Sequence, residues 1–245
     1  MVDQALARAF EGIGEEYDRY RPGFPVEALD VLMPLPVAAV LDLGAGTGKL
    51  TERLVERSAD VIAVEPSRAM LDVLRKRLPH VEARIGSAEA IPVADASVQL
   101  VTVAQAFHWF ERDAACAEIA RVLAPWGALG LLWNHSDPRC AWDVACHRVA
   151  HPAVGTDDRT TQTAADDLPG FEFLRRVELA WTEEITRDDY LRRWGTISSF
   201  LVAEPAQRGT MVAALERILD EDADTRGRER FELPHLTEIF VYRRA

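Results

Sequence analysis

The sequence predicts an α/β fold with a doubly wound, mostly parallel sheet, on three observations. Five short apolar runs, at 37–43, 60–65, 81–85, 98–104 and 127–134, alternate with helical patterns at 49–57, 67–77 and 111–123. Strict alternation of this kind builds a parallel sheet covered by helices on both faces. The first run opens into a glycine-rich turn, VLDLGAGTGKL over 40–50, and the second closes on an acid, Glu65. Ligands of open α/β sheets bind outside the carboxyl ends of the strands, so both features fall where a site is expected.

The turn after the first strand carries glycines at every second position, Gly44, Gly46 and Gly48. A residue without Cβ takes φ > 0 readily and lets the backbone approach a ligand. The dinucleotide fingerprint G-x-G-x-x-G needs its third glycine one place later, where this chain has Lys49. Asp42 stands two residues before the first glycine, where a carboxylate repels a polyphosphate and favours a cationic ligand. The bland alternative is a tight turn with no ligand.

Glu65 follows Gly44 by 21 residues, a spacing at which the acid ending the second strand can take both hydroxyls of a ribose. Equally, it is a helix N-terminal acid ahead of Pro66 and the N-cap Ser67. The third run, VEARIG, passes into SAEAIP (87–92). The fourth, VQLVTVAQAFHWF over 98–110, is apolar in its first half, then polar and aromatic. That change places Gln105, Ala106, Phe107, His108 and Trp109 at a strand end. His108 is a candidate acid–base group, while a packed histidine, with Trp109 and Phe110 as core, is the structural alternative.

The fifth strand follows Pro125-Trp126-Gly127 and ends at Trp133 and Asn134. Trp126 is expected in an exposed turn, its ring over a neighbouring helix. Beyond it the pattern loosens into a helix, a loop around 152–168, a strand near 174–184, helices near 187–203 and 205–221, and a final strand at 236–244. The acidic EDADTRGRE (221–229) reads as a polar turn. The expected organisation is one domain over 1–245: cap helices in 1–34, a binding core in 35–135, lid and substrate elements in 136–225 and a closing strand in 226–245.

Composition narrows the function. A chain of 245 residues, 48% hydrophobic, suits one large domain. A formal net charge of −12, with no basic cluster, argues against nucleic acid as a partner. No apolar run approaches the ~20 residues of a membrane span, and no secretory signal pattern opens the chain, so the expectation is a cytoplasmic protein without membrane association. The three cysteines, Cys116, Cys140 and Cys146, have no CxxC spacing. His147 and His151 lie four apart, but Arg148 stands where a zinc-protease motif has Glu; no metal is expected.

With D-x-G-x-G-x-G at 42–48, the chain resembles the class I S-adenosylmethionine-dependent methyltransferases, whose cofactor carries a sulfonium and an ammonium. The resemblance implies a Rossmann-like, seven-stranded sheet whose last two strands add an antiparallel arrangement, with a helical lid from the C-terminal half. It implies that Asp42, Gly44, Ala45, Gly46 and Gly48 surround the methionine part, with Glu65 at the ribose and Pro66 and Met70 as further cofactor contacts. Family members usually carry Asp-Ala-Glu at the adenine, and here Ser87 replaces the Asp. Ser87, the Ala88 backbone or Glu89 could each supply that contact, and Gln105 completes the cofactor set. They also have Pro-Gly-Gly where this chain has Pro-Trp-Gly.

The AQAFHWF run and GEEYDRYRPGFP (14–25) are similar to the branch around trans-aconitate methyltransferase. In that branch the N-terminal segment caps the cofactor, which implies Arg21 on the methionine carboxylate and Tyr17 or Tyr20 beside it. A short amphipathic helix stopped by Pro22 is compatible with this. The implied reaction is methyl transfer to a small-molecule acceptor, a carboxylate or similar polar metabolite. Candidate acceptor contacts are His108, Trp109, Trp133, Asn134 and Ser198, with Ser199 and Arg243 as weaker ones. The alternatives are a quinone or phenolic acceptor, a nicotinamide oxidoreductase, which the position of Lys49 disfavours, and a non-catalytic cofactor-binding protein.

Overall fold

The structure is a computed structural model that describes residues 14–150 and 167–245, without the side chains of Glu15, Tyr17 and Ser198. Seven strands form one sheet in the order β3-β2-β1-β4-β5-β7-β6. They are β1 (Ala39–Leu43), β2 (Asp60–Glu65), β3 (Glu82–Ile85), β4 (Val98–Ala104), β5 (Leu123–Ser136), β6 (Phe171–Thr186) and β7 (Arg230–Arg244). The first five pair in parallel. β7 runs against β6: Glu172 pairs with Arg243 and Arg176 with Glu238, so partners fall along one strand as they rise along the other. The doubly wound, mostly parallel sheet expected from the sequence is therefore present.

Among the described residues, 23–134, 167–179 and 237–245 form one compact unit and 14–22, 135–150 and 180–236 the other. In the first, β1 is buried along its whole length. Val40 packs with Leu100 and Leu132 in one apolar cluster, and Leu41 and Leu43 pack with Val101, Val103 and Leu131 in another. Alternate residues of a strand face opposite sides, so both faces are covered and the strands read as nearly continuous apolar runs. The helices of this unit are α2 (Glu27–Leu32), α3 (Thr51–Leu54), α4 (Arg68–Arg77) and α5 (Arg112–Val122). Ser67 and Glu111 cap α4 and α5 by accepting from Met70 N and Ala114 N.

The other unit holds α1 (Gly14–Tyr20), α6 (Ala141–Ala150), α7 (Arg187–Trp194), α8 (Ser198–Val202) and α9 (Pro205–Glu221). Its core gathers Trp142, Tyr190, Trp194, Phe200, Leu215 and Phe231. Tyr190 stands edge-on to Trp142 at 5.2 Å and to Phe231 at 5.7 Å, and its hydroxyl donates to buried Asp143 at 2.6 Å. Both oxygens of Glu183 accept from Arg193 Nη2 at 2.8 Å, and one of them meets His235 Nε2 at 3.0 Å. Burial pushes the Glu183 carboxyl up, but His235 and Arg193 together hold it below its ordinary range.

Several expected boundaries move. The helix read at 49–57 is only α3, and the one at 187–203 breaks into α7 and α8. At the break the Thr196 hydroxyl donates to Arg193 O at 2.7 Å and Ile197 turns extended, a local bond competing with the helix. β7 begins at Arg230 and β6 at Phe171, so both reach beyond their apolar centres. Trp126 is 77% exposed, as a turn residue should be, yet it lies inside β5. There β4 advances from Val98 to Leu100 while β5 advances from Leu123 to Ala128, an irregular stretch in which Trp126 takes φ 66°. The Arg243 guanidinium covers the ring at 5.5 Å. The loop expected around 152–168 and His151 lie outside the described residues, apart from Asp167 and Leu168.

Candidate functional site

The turns after β1, β2 and β4 lie at the carboxyl ends of adjacent parallel strands, because β2, β1 and β4 are neighbours in the sheet. After β1 the chain makes three left-handed glycines, Gly44 at φ 70°, Gly46 at φ 56° and Gly48 at φ 89°. Each is required for a different reason. A Cβ on Gly44 would stand 2.8 Å from Ala106 Cβ and 3.3 Å from the Phe110 ring. On Gly48 it would press on Leu74 at 3.0 Å, so this glycine lets α4 approach. On Gly46 it would meet nothing nearer than Met70 Sδ at 3.9 Å. Gly46 thus borders open space, and its neighbours on either side are locked.

The loop is pinned at two points. Gly44 N and Ala45 N both donate to Val64 O, at 2.8 and 3.1 Å. Glu65, only 7% exposed, accepts from Gly46 N at 3.0 Å and Ser67 N at 2.9 Å. Burial raises the Glu65 carboxyl, and the two amide bonds offset part of that. Glu65 thus supports the start of α4 and keeps lone pairs for further donors, since a carboxylate accepts about four bonds. Pro66 is exposed and Met70 half-buried beside it.

Asp42 is less open than its motif implies. It is 1% exposed, and its two oxygens accept from Thr51 Oγ1 at 2.6 Å and Thr102 Oγ1 at 3.0 Å. Burial pushes its carboxyl up to about 6, against these hydroxyl bonds. Neither threonine is marked by the glycine motif. Thr102 does interrupt the apolar run VQLVTVA, and a lone polar residue inside a buried strand is the signal by which it could be found.

At the end of β3, Ser87 bridges to Ala90 in an antiparallel pair, Ala88 is buried and Glu89 is exposed. Glu89 accepts from Glu111 N at 2.9 Å, which ties this loop to the cap of α5. After β4, Gln105 sits at φ 56°, a conformation that costs a non-glycine residue of the order of 1–3 kcal/mol and clusters at functional sites. Its amide donates to Asn134 O at 3.1 Å. Phe107, His108 and Trp109 form one 3₁₀ turn with Phe107 buried and Trp109 45% exposed. The buried Trp133 indole donates to His108 Nδ1 at 3.4 Å.

Asn134 is committed within the protein. Its Nδ2 donates to Gly23 O at 2.9 Å and its Oδ1 accepts from Thr237 at 2.6 Å. It positions strand ends. Arg243 is likewise taken up by Glu172 at 2.5 Å. Tyr20 and Arg21 belong to the other unit, where Arg193 Nε donates to Tyr20 O at 2.6 Å and Arg21 donates to Thr196 O at 3.2 Å. Tyr17 lies on α1 and Ser198 begins α8, their side chains outside the described ones. Among the described residues no group of three or more His, Cys, Asp and Glu is arranged to hold a metal, and no helix is long and apolar enough to cross a membrane.

A left-handed glycine loop with Gly46 open, beside a buried acid at the next strand end, fits the sugar and amino-acid parts of a nucleoside cofactor. The comparisons agree. A family described as "Methyltransferase domain" matches residues 40–127. An uncharacterized methyltransferase of Mycobacterium tuberculosis is 44% identical over 191 residues, covering 78% of this chain and 76% of that one.

The chain belongs to the class I S-adenosylmethionine-dependent methyltransferases. A solved structure from Anaeromyxobacter dehalogenans assigned as a type II methyltransferase superposes on this methyltransferase with a TM-score of 0.69 at 25% identity, covering 91% of this chain and 97% of that one. Over a shorter stretch of 100 residues it is 43% identical to malonyl-[acyl-carrier protein] O-methyltransferase of Methylococcus capsulatus, 38% of this chain and 36% of that one. The family match starts at Val40 and ends at Gly127, so it spans the glycine loop, Glu65 and the 3₁₀ turn of the methyltransferase, but neither Trp133 nor the helical unit.

Proposed function

We propose that this chain transfers a methyl group to a carboxylate oxygen of a small polar metabolite. The observation that carries the reading is the contact between Trp133 and His108. An indole N–H only donates, so His108 Nδ1 must accept, and the neutral imidazole then holds its proton on Nε2. An imidazole in that tautomer offers a donor, which suits an acceptor oxygen already ionised at pH 7. The similarity to a malonyl-[acyl-carrier protein] O-methyltransferase and the HWF and Tyr-Arg-Pro motifs support the same acceptor class.

S-adenosylmethionine, when bound, supplies an electrophilic methyl whose leaving group is already activated. The residues proposed to hold it are the Gly44–Gly48 loop with Asp42 beneath it, Glu65 at the ribose, Pro66 and Met70 beside it, Ser87, Ala88 and Glu89 at the adenine, and Gln105. Tyr17, Tyr20 and Arg21 join this set on the resemblance of their motif alone. His108 and Trp109 orient the acceptor, and Ser198 joins them on its sequence motif alone. Orientation and exclusion of water can supply about 7–11 kcal/mol of such a barrier, so no strong base is needed for a carboxylate.

The test is turnover with methyl-labelled cofactor on a panel of carboxylic acids, phenols and quinones. The expected product is a base-labile methyl ester. His108→Ala should lower kcat by about 100-fold through lost positioning, and His108→Gln, which keeps a donor, should recover part of it. Methylated phenol or quinone products, lost in His108→Ala and not recovered in His108→Gln, would instead establish the base reading. Tight binding of S-adenosylhomocysteine with no product across the panel would leave a binding protein.

A further inference from the structure

β6 is the last strand in the sheet order, so one of its edges is bonded to β7 and the other has no strand partner among the described residues. Such an edge is a template for pairing with another chain, and proteins commonly blunt it with proline, lysine, bulges or short length. β6 is long and has none of the first two: it runs 16 residues, FEFLRRVELAWTEEIT, with no proline, glycine or lysine, and the charges it carries are of both signs. Phe173 and Leu174 are 54% and 46% exposed. Glu178 is exposed and, among the described residues, makes no hydrogen bond or ion pair.

We propose that β6 is the contact between two copies of this chain, pairing antiparallel with itself about a two-fold axis normal to the sheet at Val177. Such an axis keeps even-numbered side chains opposite even-numbered ones, because directly opposed residues share a face. With Val177 facing its own copy, Arg176 stands opposite Glu178 of the second copy, and by symmetry the pair occurs twice. Phe173 stands opposite Trp181, an aromatic cross-strand pair, and Leu174 opposite Ala180. Glu172 meets Thr182 and Arg175 meets Leu179, so no like charges oppose.

The neighbouring registers of the same symmetry are worse. Shifting the axis by one residue either way sets Arg176 against its own copy or Glu178 against its own copy, and like charges directly opposed are destabilising. Of these three registers the charges favour the one centred on Val177. Arg176 also pairs with Glu238 on β7, but its guanidinium carries five donors and its side chain is 53% exposed, so it can serve Glu178 of a second copy as well.

Sedimentation of the full chain up to about 100 µM, which brackets micromolar dissociation constants, should show a monomer–dimer equilibrium. Glu178→Arg sets two arginine pairs in opposition and should weaken the dimer about tenfold or more, with its circular dichroism and melting curve otherwise unchanged. Val177→Cys should form a disulfide between copies on mild oxidation, since opposed residues of an antiparallel pair lie within bridging distance. The native Cys116, Cys140 and Cys146 are buried, so the cross-link is traceable to Cys at 177. A chain that stays monomeric throughout, or a dimer that is indifferent to Glu178→Arg and forms no cross-link at 177, overturns the proposal.

Discussion

The Glu65 carboxylate accepts the backbone N–H of Gly46, 19 positions earlier in the chain, at 3.0 Å. One acid therefore sets the conformation of the loop while closing the strand beside it. Glu65→Gln keeps the shape but turns an N–H toward one of the two amides. The loss of a charge-assisted bond of about 1.5–3 kcal/mol predicts S-adenosylhomocysteine binding weaker by about 10–150-fold, measured by calorimetry. An unchanged affinity would remove Glu65 from the cofactor set.

Gly44 has no room for a side chain. Gly44→Ala combines a left-handed alanine with a contact of 2.8 Å to Ala106 Cβ, a cost of about 2 kcal/mol or more. In a domain of this size that lowers Tm by roughly 4–8 °C. Gly46→Ala, bordering open space, should melt closer to the parent and lose cofactor affinity instead. Matching effects of the two substitutions on both readouts would refute the distinction.

Asp42 makes stability depend on pH. Its folded-state carboxyl is raised from 3.8 to about 6, so between those values the folded chain holds a proton that the unfolded chain has released. The contribution is fully present below pH 3.8, and it is lost as pH rises through about 6. Its size is up to about 3 kcal/mol. Denaturant titrations of the parent and Asp42→Asn between pH 4 and 7 should diverge by this amount, the variant lacking this fall; parallel curves would show that Asp42 titrates normally.

Trp126 occupies a left-handed position that suits glycine. Relief of about 1–2 kcal/mol of steric cost is offset by the entropy of a glycine and by the lost contact with Arg243. Trp126→Gly should therefore raise stability by at most about 1 kcal/mol, seen as a small increase in denaturation midpoint. A clear drop would mean that the ring and Arg243 together outweigh the backbone strain.

The alternation of apolar runs and helices made the sheet legible in the sequence, because a parallel strand buried on both faces has to be apolar throughout. β1 and β2 end where Asp42 and Glu65 predict. What could not be read are contacts between separate segments: Thr51 on Asp42, Trp133 on His108, and Thr237 on Asn134, whereas Thr102 leaves a trace as the polar residue inside β4. None has a spacing that betrays it. Asn134 looks like an acceptor contact in sequence because an amide at a strand end is a common ligand group, whereas in the structure its amide bonds Gly23 and Thr237. The helix at 187–203 misled for a local reason, since Gly195-Thr196 sits inside an otherwise good helical pattern and the threonine hydroxyl bonds back to Arg193 O.

Asn134 also has a consequence for how the chain folds. Its bonds to Gly23 and Thr237 close intervals of 111 and 103 residues in opposite directions. Contacts of such high sequence separation form only after a large loss of chain entropy has been met by other interactions. Both bonds therefore belong to the end of folding rather than its nucleus. Removing the Asn134 side chain should speed unfolding and leave the refolding rate almost untouched, which makes this one amide a clock for the moment when the first and last thirds of the sheet unit are joined.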